Sequence, residues 1–191
     1  NIIAVSKTFA MDKITPLLAH GHIHFGENKV QEAAEKWSLL KKEYTDCKLH
    51  MIGRLQTNKV KLAVKIFDFI HSVESIKLAK KISEEQIKIK KNIGIFLQVN
   101  VAGESQKSGV DINSLSNLYE ECINLDLNVL GLMCIPPISE PAGNYFEIVS
   151  KKKNELKLSS LSLGMSDDYL EALKVKSDFL RIGTKIFGAR N

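Results

Sequence analysis

The sequence predicts a single (β/α)8 TIM barrel covering residues 1–191. Two positive observations carry this reading. Short apolar, β-branched runs recur about eight times, and each is followed by a segment whose apolar residues repeat at helical spacing. Strict alternation of this kind argues for a parallel sheet, and eight units argue for closure into a barrel. The third observation is negative. No GxGxxG or GxxxxGK[ST] motif occurs, although an open doubly wound sheet would be expected to show such a phosphate fingerprint. At 191 residues the chain is short for a barrel that typically needs about 200. It also starts in a strand, so an N-terminal helix and a loop residue or two elsewhere are expected to be missing.

The first unit is Ile2-Ile3-Ala4-Val5, ending in Ser6-Lys7-Thr8. Four apolar residues read as a strand buried on both faces, with Lys7 at its C-terminal end. Residues 12–20 read as a short helix, with Asp12 as N-cap, Gly21 as stop and Pro16 tolerable only near the first turn. Ile23 and Phe25 mark a second strand running into Gly26-Glu27-Asn28. A helix follows with Val30, Ala33, Ala34, Trp37 and Leu40 on one face. The third strand, residues 49–52, breaks at Gly53-Arg54-Leu55-Gln56-Thr57-Asn58 before a helix carrying Val60, Ala63, Val64 and Phe67. Residues 69–73 form the fourth strand, and a longer helix begins near Ser75.

Residues 93–101 form the strongest strand and end in the polar loop 103–109. A helix with Leu115, Leu118, Tyr119 and Cys122 leads to the sixth strand, residues 127–134, which stops at Pro136-Pro137. A helix from Asn144 places Phe146 and Val149 on one side. The seventh strand, Leu161-Ser162-Leu163, ends in Gly164-Met165-Ser166-Asp167-Asp168. A helix with Leu170 and Leu173 precedes the eighth, residues 179–182, which ends in Gly183-Thr184.

Composition narrows the class. With 44% hydrophobic and 26% charged residues the chain has ample core material, no apolar run near the roughly 18 residues of a membrane span, and no signal peptide. A cytoplasmic location is expected. Cys47, Cys122 and Cys134 lack CxxC spacing and read as small core hydrophobes. His20, His22 and His24 alternate without an acidic or Cys partner nearby, so no metal is predicted. The net charge of +5 is carried mostly by lysine, since Arg54, Arg181 and Arg190 are the only arginines. Specific nucleic-acid readers rely on arginine and interleaved aromatics, so no specific nucleic-acid partner is expected.

In a barrel the strand ends converge on one mouth. Here they bring together Lys7, Asn28, the 53–58 loop, Lys107, the turn at 133–137, Ser162 to Ser166, and Arg181 to Thr184. By position alone Lys7 is a Schiff-base nucleophile, a phosphate clamp or a surface charge. The loops after the last two strands, Gly164-Met165-Ser166 and Gly183-Thr184, pair small residues with hydroxyls, which suits an anion. A phosphate pocket opposite a strand-end lysine suits pyridoxal 5′-phosphate (PLP), an aldehyde that condenses with lysine. Arg181 alternates with Leu180 and Ile182. It would keep a pyridine nitrogen unprotonated, serve as partner to an internal carboxylate, or clamp the phosphate directly.

Seven motifs, in order, carry a resemblance that covers the whole chain. They are Ala4-Val5-Ser6-Lys7-Thr8; Phe25-Gly26-Glu27-Asn28 with Gln31-Glu32; His50-Met51-Ile52-Gly53 with Leu55-Gln56-Thr57-Asn58-Lys59; Ser105-Gln106-Lys107-Ser108-Gly109; Gly131-Leu132-Met133; Ser162-Leu163-Gly164-Met165-Ser166-Asp167-Asp168; and Arg181-Ile182-Gly183-Thr184 with Phe187-Gly188. Together they resemble the pyridoxal phosphate homeostasis protein family, whose fold is that of the alanine racemase N-terminal barrel. Arg54 departs from the pattern, which usually has a smaller or apolar residue after that glycine.

The resemblance implies a PLP-binding protein of vitamin B6 and amino-acid homeostasis without established catalytic turnover. It implies Lys7 as the Schiff-base lysine, Ser166, Gly183 and Thr184 as phosphate contacts, and Asn28, Ser162, Met165 and Arg181 as further cofactor residues. Lys107 would be a second lysine near the mouth. PLP-dependent apoenzymes are the implied recipients, and a monomer is expected. The alternative is a fold-type III PLP enzyme with weak racemase-like activity. Such enzymes add a C-terminal β domain that supplies an acid/base residue, and none is expected after Gly188.

Overall fold

The computed structural model describes residues 1–104 and 106–189. Among them nine strands form one sheet: β1 (Ile2–Val5), β2 (His24–Glu27), β3 (Lys48–Met51), β4 (Phe69–Val73), β5 (Gly94–Asn100), β6 (Val110–Asp111), β7 (Asn128–Cys134), β8 (Ser160–Met165) and β9 (Phe179–Ile182). The order β4-β3-β2-β1-β9-β8-β7-β5 is closed by a β4–β5 pairing, so eight parallel strands make a complete (β/α)8 barrel. The two-residue β6 hangs on the outside of β5. It is too short to leave a periodic signal in the sequence.

Helices α1 (Met11–Ala19), α2 (Val30–Glu43), α3 (Val60–Ile66), α4 (Ile76–Lys88), α5 (Leu115–Asn124), α6 (Ala142–Glu155), α7 (Tyr169–Lys174) and α8 (Thr184–Phe187) lie between and after the strands. The helix expected from near Ser75 starts there, and Ser75 caps α4 by accepting the Leu78 N–H. The first helix differs from expectation. Ala10, not Asp12, is its N-cap, Asp12 lies inside the first turn, and Pro16 sits within the helix. Proline cannot bond back along the helix, but here the Thr15 hydroxyl donates to the Met11 carbonyl at 2.8 Å beside it.

Two apolar layers result. The larger fills the space between sheet and helices and includes Phe25, Trp37, Leu49, Phe67, Ile95 and Phe146. The smaller plugs the barrel interior with Ile3, Phe96, Met133 and Phe179, packed by Phe69 and Leu130. Close approach of β7 to β8 depends on Gly131, where a Cβ would fall 1.8 Å from the Ser160 carbonyl oxygen. None of the described helices is long and apolar enough to cross a membrane.

Candidate functional site

Lys7 follows β1 at the C-terminal mouth and is half-buried. Its turn is held from below and from the side. The Ser6 N–H donates to the Gly26 carbonyl, and the Ser6 hydroxyl donates to Glu27 Oε1 at 2.8 Å. Glu27 is fully buried and takes two more donors on the same oxygen, Trp37 Nε1 at 3.0 Å and Lys36 Nζ at 2.7 Å. Lys36 also donates to the Ser6 carbonyl at 2.9 Å and pairs with Glu32, whose Oε1 accepts the Thr8 N–H at 2.6 Å. Thr8 needs this support, because its φ of 67° is a left-handed conformation that β-branched residues avoid. Phe9 stacks on Phe187 of α8 at 4.9 Å, joining the Lys7 turn to the segment that follows the neighbouring strand β9.

Lys7, Asn28, Met165, Ser166, Arg181, Gly183 and Thr184 line one cavity of about 340 Å³, with Val5, Ile52 and Ile135 as apolar wall. Seven of the residues named from the sequence therefore share a single mouth pocket. The Gly183 N–H reaches Ser166 Oγ at 3.4 Å, so the two loops meet. Gly164 approaches α7 closely at φ +89°, where a Cβ would sit 2.7 Å from Ala172. Across the mouth, Asn28 Oδ1 is buried without a hydrogen-bond partner among the described residues. A buried acceptor left open in a cavity wall is matched by a ligand donor.

Arg181 is 4% exposed. Its Nη1 donates to the Ser162 carbonyl and to Ser162 Oγ at 2.9 Å, and its Nη2 donates to the Cys134 carbonyl at 2.9 Å. No carboxylate pairs with it among the described residues, so the carboxylate-partner reading of this arginine is set aside. Burial lowers the guanidinium to about 10, which leaves it charged at neutral pH.

Two of the residues named from the sequence do not line the cavity. Ser162 is fully buried beneath Arg181 instead of facing the cavity, because β8 runs on to Met165 and carries the mouth past it. Lys107 pairs with Glu104 and does not line the cavity. Ser105 of the same motif lies outside the described residues, as do Arg190 and Asn191.

Other members of the site were not expected from the sequence. Glu27, Glu32, Lys36 and Trp37 clamp the Lys7 turn, as described above. Inside the barrel, His24, His50 and His71 form a hydrogen-bonded series that ends on Ser162. The sequence had grouped His24 with His20 and His22. The cue was a single histidine on each of three consecutive apolar strands.

The sequence matches the family described as alanine racemase, N-terminal domain, over residues 1–191. It is 37% identical over 199 residues to the pyridoxal phosphate homeostasis protein of Aquifex aeolicus, which covers 99% of this chain and 86% of that one. The protein of the same name from Pasteurella multocida is 33% identical over 201 residues, covering 100% and 86%. Among solved structures, PipY of Synechococcus elongatus with PLP bound superposes with a TM-score of 0.89 at 32% identity, covering 98% of this chain and 92% of that one. A Clostridium difficile alanine racemase, at 16% identity and a TM-score of 0.76 over 52% of its length, shares the fold. On sequence and structure alike, the chain belongs to the alanine racemase N-terminal domain family and, within it, to the pyridoxal phosphate homeostasis proteins.

Proposed function

We propose that this protein binds pyridoxal 5′-phosphate, holds it as a Schiff base on Lys7, and serves cytoplasmic vitamin B6 and amino-acid homeostasis without catalytic turnover. The observation that carries the reading is the convergence, in one cavity, of Lys7 with the Ser166, Gly183 and Thr184 donors and with buried Arg181. The PLP-bound structure of PipY and the names of the relatives support it.

When bound, PLP supplies an aldehyde that condenses with an amine, releasing water, and a ring that withdraws electrons from the attached carbon. The Lys7 amine would hold the aldehyde carbon, Ser166, Gly183 and Thr184 the phosphate, and Asn28 Oδ1 would accept from a ligand donor. Arg181 cannot give up its proton near neutral pH, so a ring nitrogen beside it would stay unprotonated, which weakens the electron sink. That chemistry favours holding over turnover. Recipients would be apoenzymes that bind PLP more tightly, and the protein would act as a monomer.

The test is absorbance after loading with PLP and desalting. A yellow protein that borohydride fixes at Lys7, and a colourless Lys7→Ala protein, are expected. A colourless wild-type protein, or trapping only at Lys107, would refute the assignment. Amino-acid racemisation by the loaded protein above the rate of free PLP would refute the non-catalytic reading.

A further inference from the structure

We infer that His71, His50 and His24 form a hydrogen-bonded spine of fixed polarity, each neutral and protonated on Nε2, that positions Arg181 from inside the barrel. The series is continuous. Arg181 Nη1 meets Ser162 Oγ at 2.9 Å, Ser162 Oγ meets His71 Nδ1 at 2.8 Å, His71 Nε2 meets His50 Nδ1 at 2.8 Å, and His50 Nε2 meets His24 Nδ1 at 2.9 Å.

Distances alone leave the donor in each histidine contact open, but the ends of the series fix it. A guanidinium only donates, so Ser162 Oγ accepts from Arg181. The serine is fully buried, and His71 Nδ1 is the one acceptor its hydroxyl hydrogen reaches among the described residues. His71 Nδ1 is therefore bare and its proton sits on Nε2, which donates to His50. The same step assigns Nε2–H to His50 and then to His24. Reversing every bond would leave the Ser162 hydroxyl hydrogen buried with no acceptor among the described residues, an arrangement proteins avoid.

Packing holds the rings to this arrangement. His50 lies flat on Phe69 at 4.4 Å and His71 flat on Phe96 at 4.3 Å, while Phe179 meets all three histidines at 5.5–5.9 Å. Flat stacking fixes each ring plane, and hence the direction of each N–H. The spine crosses the apolar plug to half-exposed His24 at the start of β2. Ser162 and the histidines thus act as positioning residues: they orient the Ser162 oxygen on which Arg181 rests.

The tautomer assignment stands on the hydrogen bonds alone, whereas its effect on the cofactor rests on the PLP reading. Two measurements keep these apart. In imidazole-15N NMR of the protein without added PLP, His50 and His71 are expected to be protonated at Nε2 and bare at Nδ1. An Nδ1–H tautomer at either residue would overturn the assignment. In PLP titrations followed by absorbance, His71→Phe keeps the stacking ring but removes the acceptor, and a roughly tenfold loss of affinity is expected. His71→Asn, which restores an acceptor near Nδ1, should recover part of it, and Ser162→Ala serves if the phenylalanine variant does not fold. Unchanged affinity and absorption maximum in a folded His71→Phe or Ser162→Ala protein would show the spine to be structural only. A wild-type protein that never binds PLP would refute the functional reading while leaving the tautomers to be judged by NMR.

Discussion

The Thr8 N–H and the Glu32 carboxylate are 24 residues apart in sequence and 2.6 Å apart in space. This contact holds a left-handed, β-branched residue next to the lysine on which the site depends. Partial burial works to raise the Glu32 carboxyl, but the Thr8 N–H and Lys36 outweigh it and hold the group below the usual carboxylate range. Glu32→Ala is therefore expected to destabilise the fold by about 1 kcal/mol, the charge-assisted bond being discounted for its partial exposure. Urea denaturation at pH 7 measures it. The contribution exists above about pH 4.5 and disappears as the pH falls through the lowered native value. The variant should also load PLP more slowly, since the Lys7 turn loses its clamp.

Thr8→Gly probes the same turn from the other side. Glycine enters left-handed space freely, while threonine pays about 1–2 kcal/mol there. Part of the gain returns as extra entropy of the unfolded chain. A net stabilisation of about 0.5 kcal/mol is expected, read as a higher urea midpoint with the same slope. A lower midpoint would mean that the threonine side chain makes a contact worth more than its strain.

Stability should fall on mild acidification because of the spine. Burial, followed by neighbouring positive charge, lowers His50 and His71 well below 6.5, so the folded protein keeps both neutral. The unfolded chain protonates them below about pH 6.5 and then binds more protons than the native state, so stability drops as pH falls. Between pH 7.5 and 5.5 the loss should be about 1 kcal/mol for each histidine. Guanidinium titrations at the two pH values measure it, and Glu32 adds little in that window because it titrates lower. A flat profile would contradict the burial of these rings.

The cysteines give a chemical check on the core. Cys47, Cys122 and Cys134 are buried free thiols, and burial raises each to about 12. The thiolate is the reactive form, so a disulfide reagent at pH 8 should label native protein only as fast as it unfolds. In denaturant all three should react at once. Fast labelling of native Cys134, which ends β7 beside the Arg181 contact, would show that the mouth opens locally.

Much of this was legible where the signal was local. The strands at 69–73 and 179–182 lie where their apolar runs and flanking turn residues put them. Ser162 was misplaced because Gly164 reads as a strand end. In the structure that glycine sits at φ +89° where the β8–β9 register shifts, and the strand continues through it to Met165. The spine was hidden for a different reason. Its links join residues 26, 21 and 91 positions apart, and only barrel closure brings them together. Likewise, the quoted Phe25-Gly26-Glu27-Asn28 motif could not reveal that Glu27 points away from the pocket to brace Ser6 and Lys36.

Two glycines of the mouth should separate folding from binding. At Gly53 a Cβ would fall 2.4 Å from the Asn28 carbonyl oxygen and 2.7 Å from the Asn28 Cα, so the loops after β2 and β3 must move apart. Backbone cannot yield as a flexible side chain does, and Gly53→Ala is expected to cost about 2 kcal/mol and to displace Asn28 from the cavity wall. At Gly183 the nearest atom to a Cβ is Val5 Cβ at 3.5 Å, an ordinary contact, and the φ of −115° lies outside the left-handed region. Gly183→Ala should therefore fold with a melting temperature near that of wild type. It still adds a methyl group to the wall beside Thr184, where close approach of an anion to the backbone is proposed, so PLP affinity should fall by about tenfold or more. Calorimetry and absorbance titration on the two variants test the pair. Equal losses of stability, or an unchanged affinity in Gly183→Ala, would place the phosphate elsewhere in the mouth.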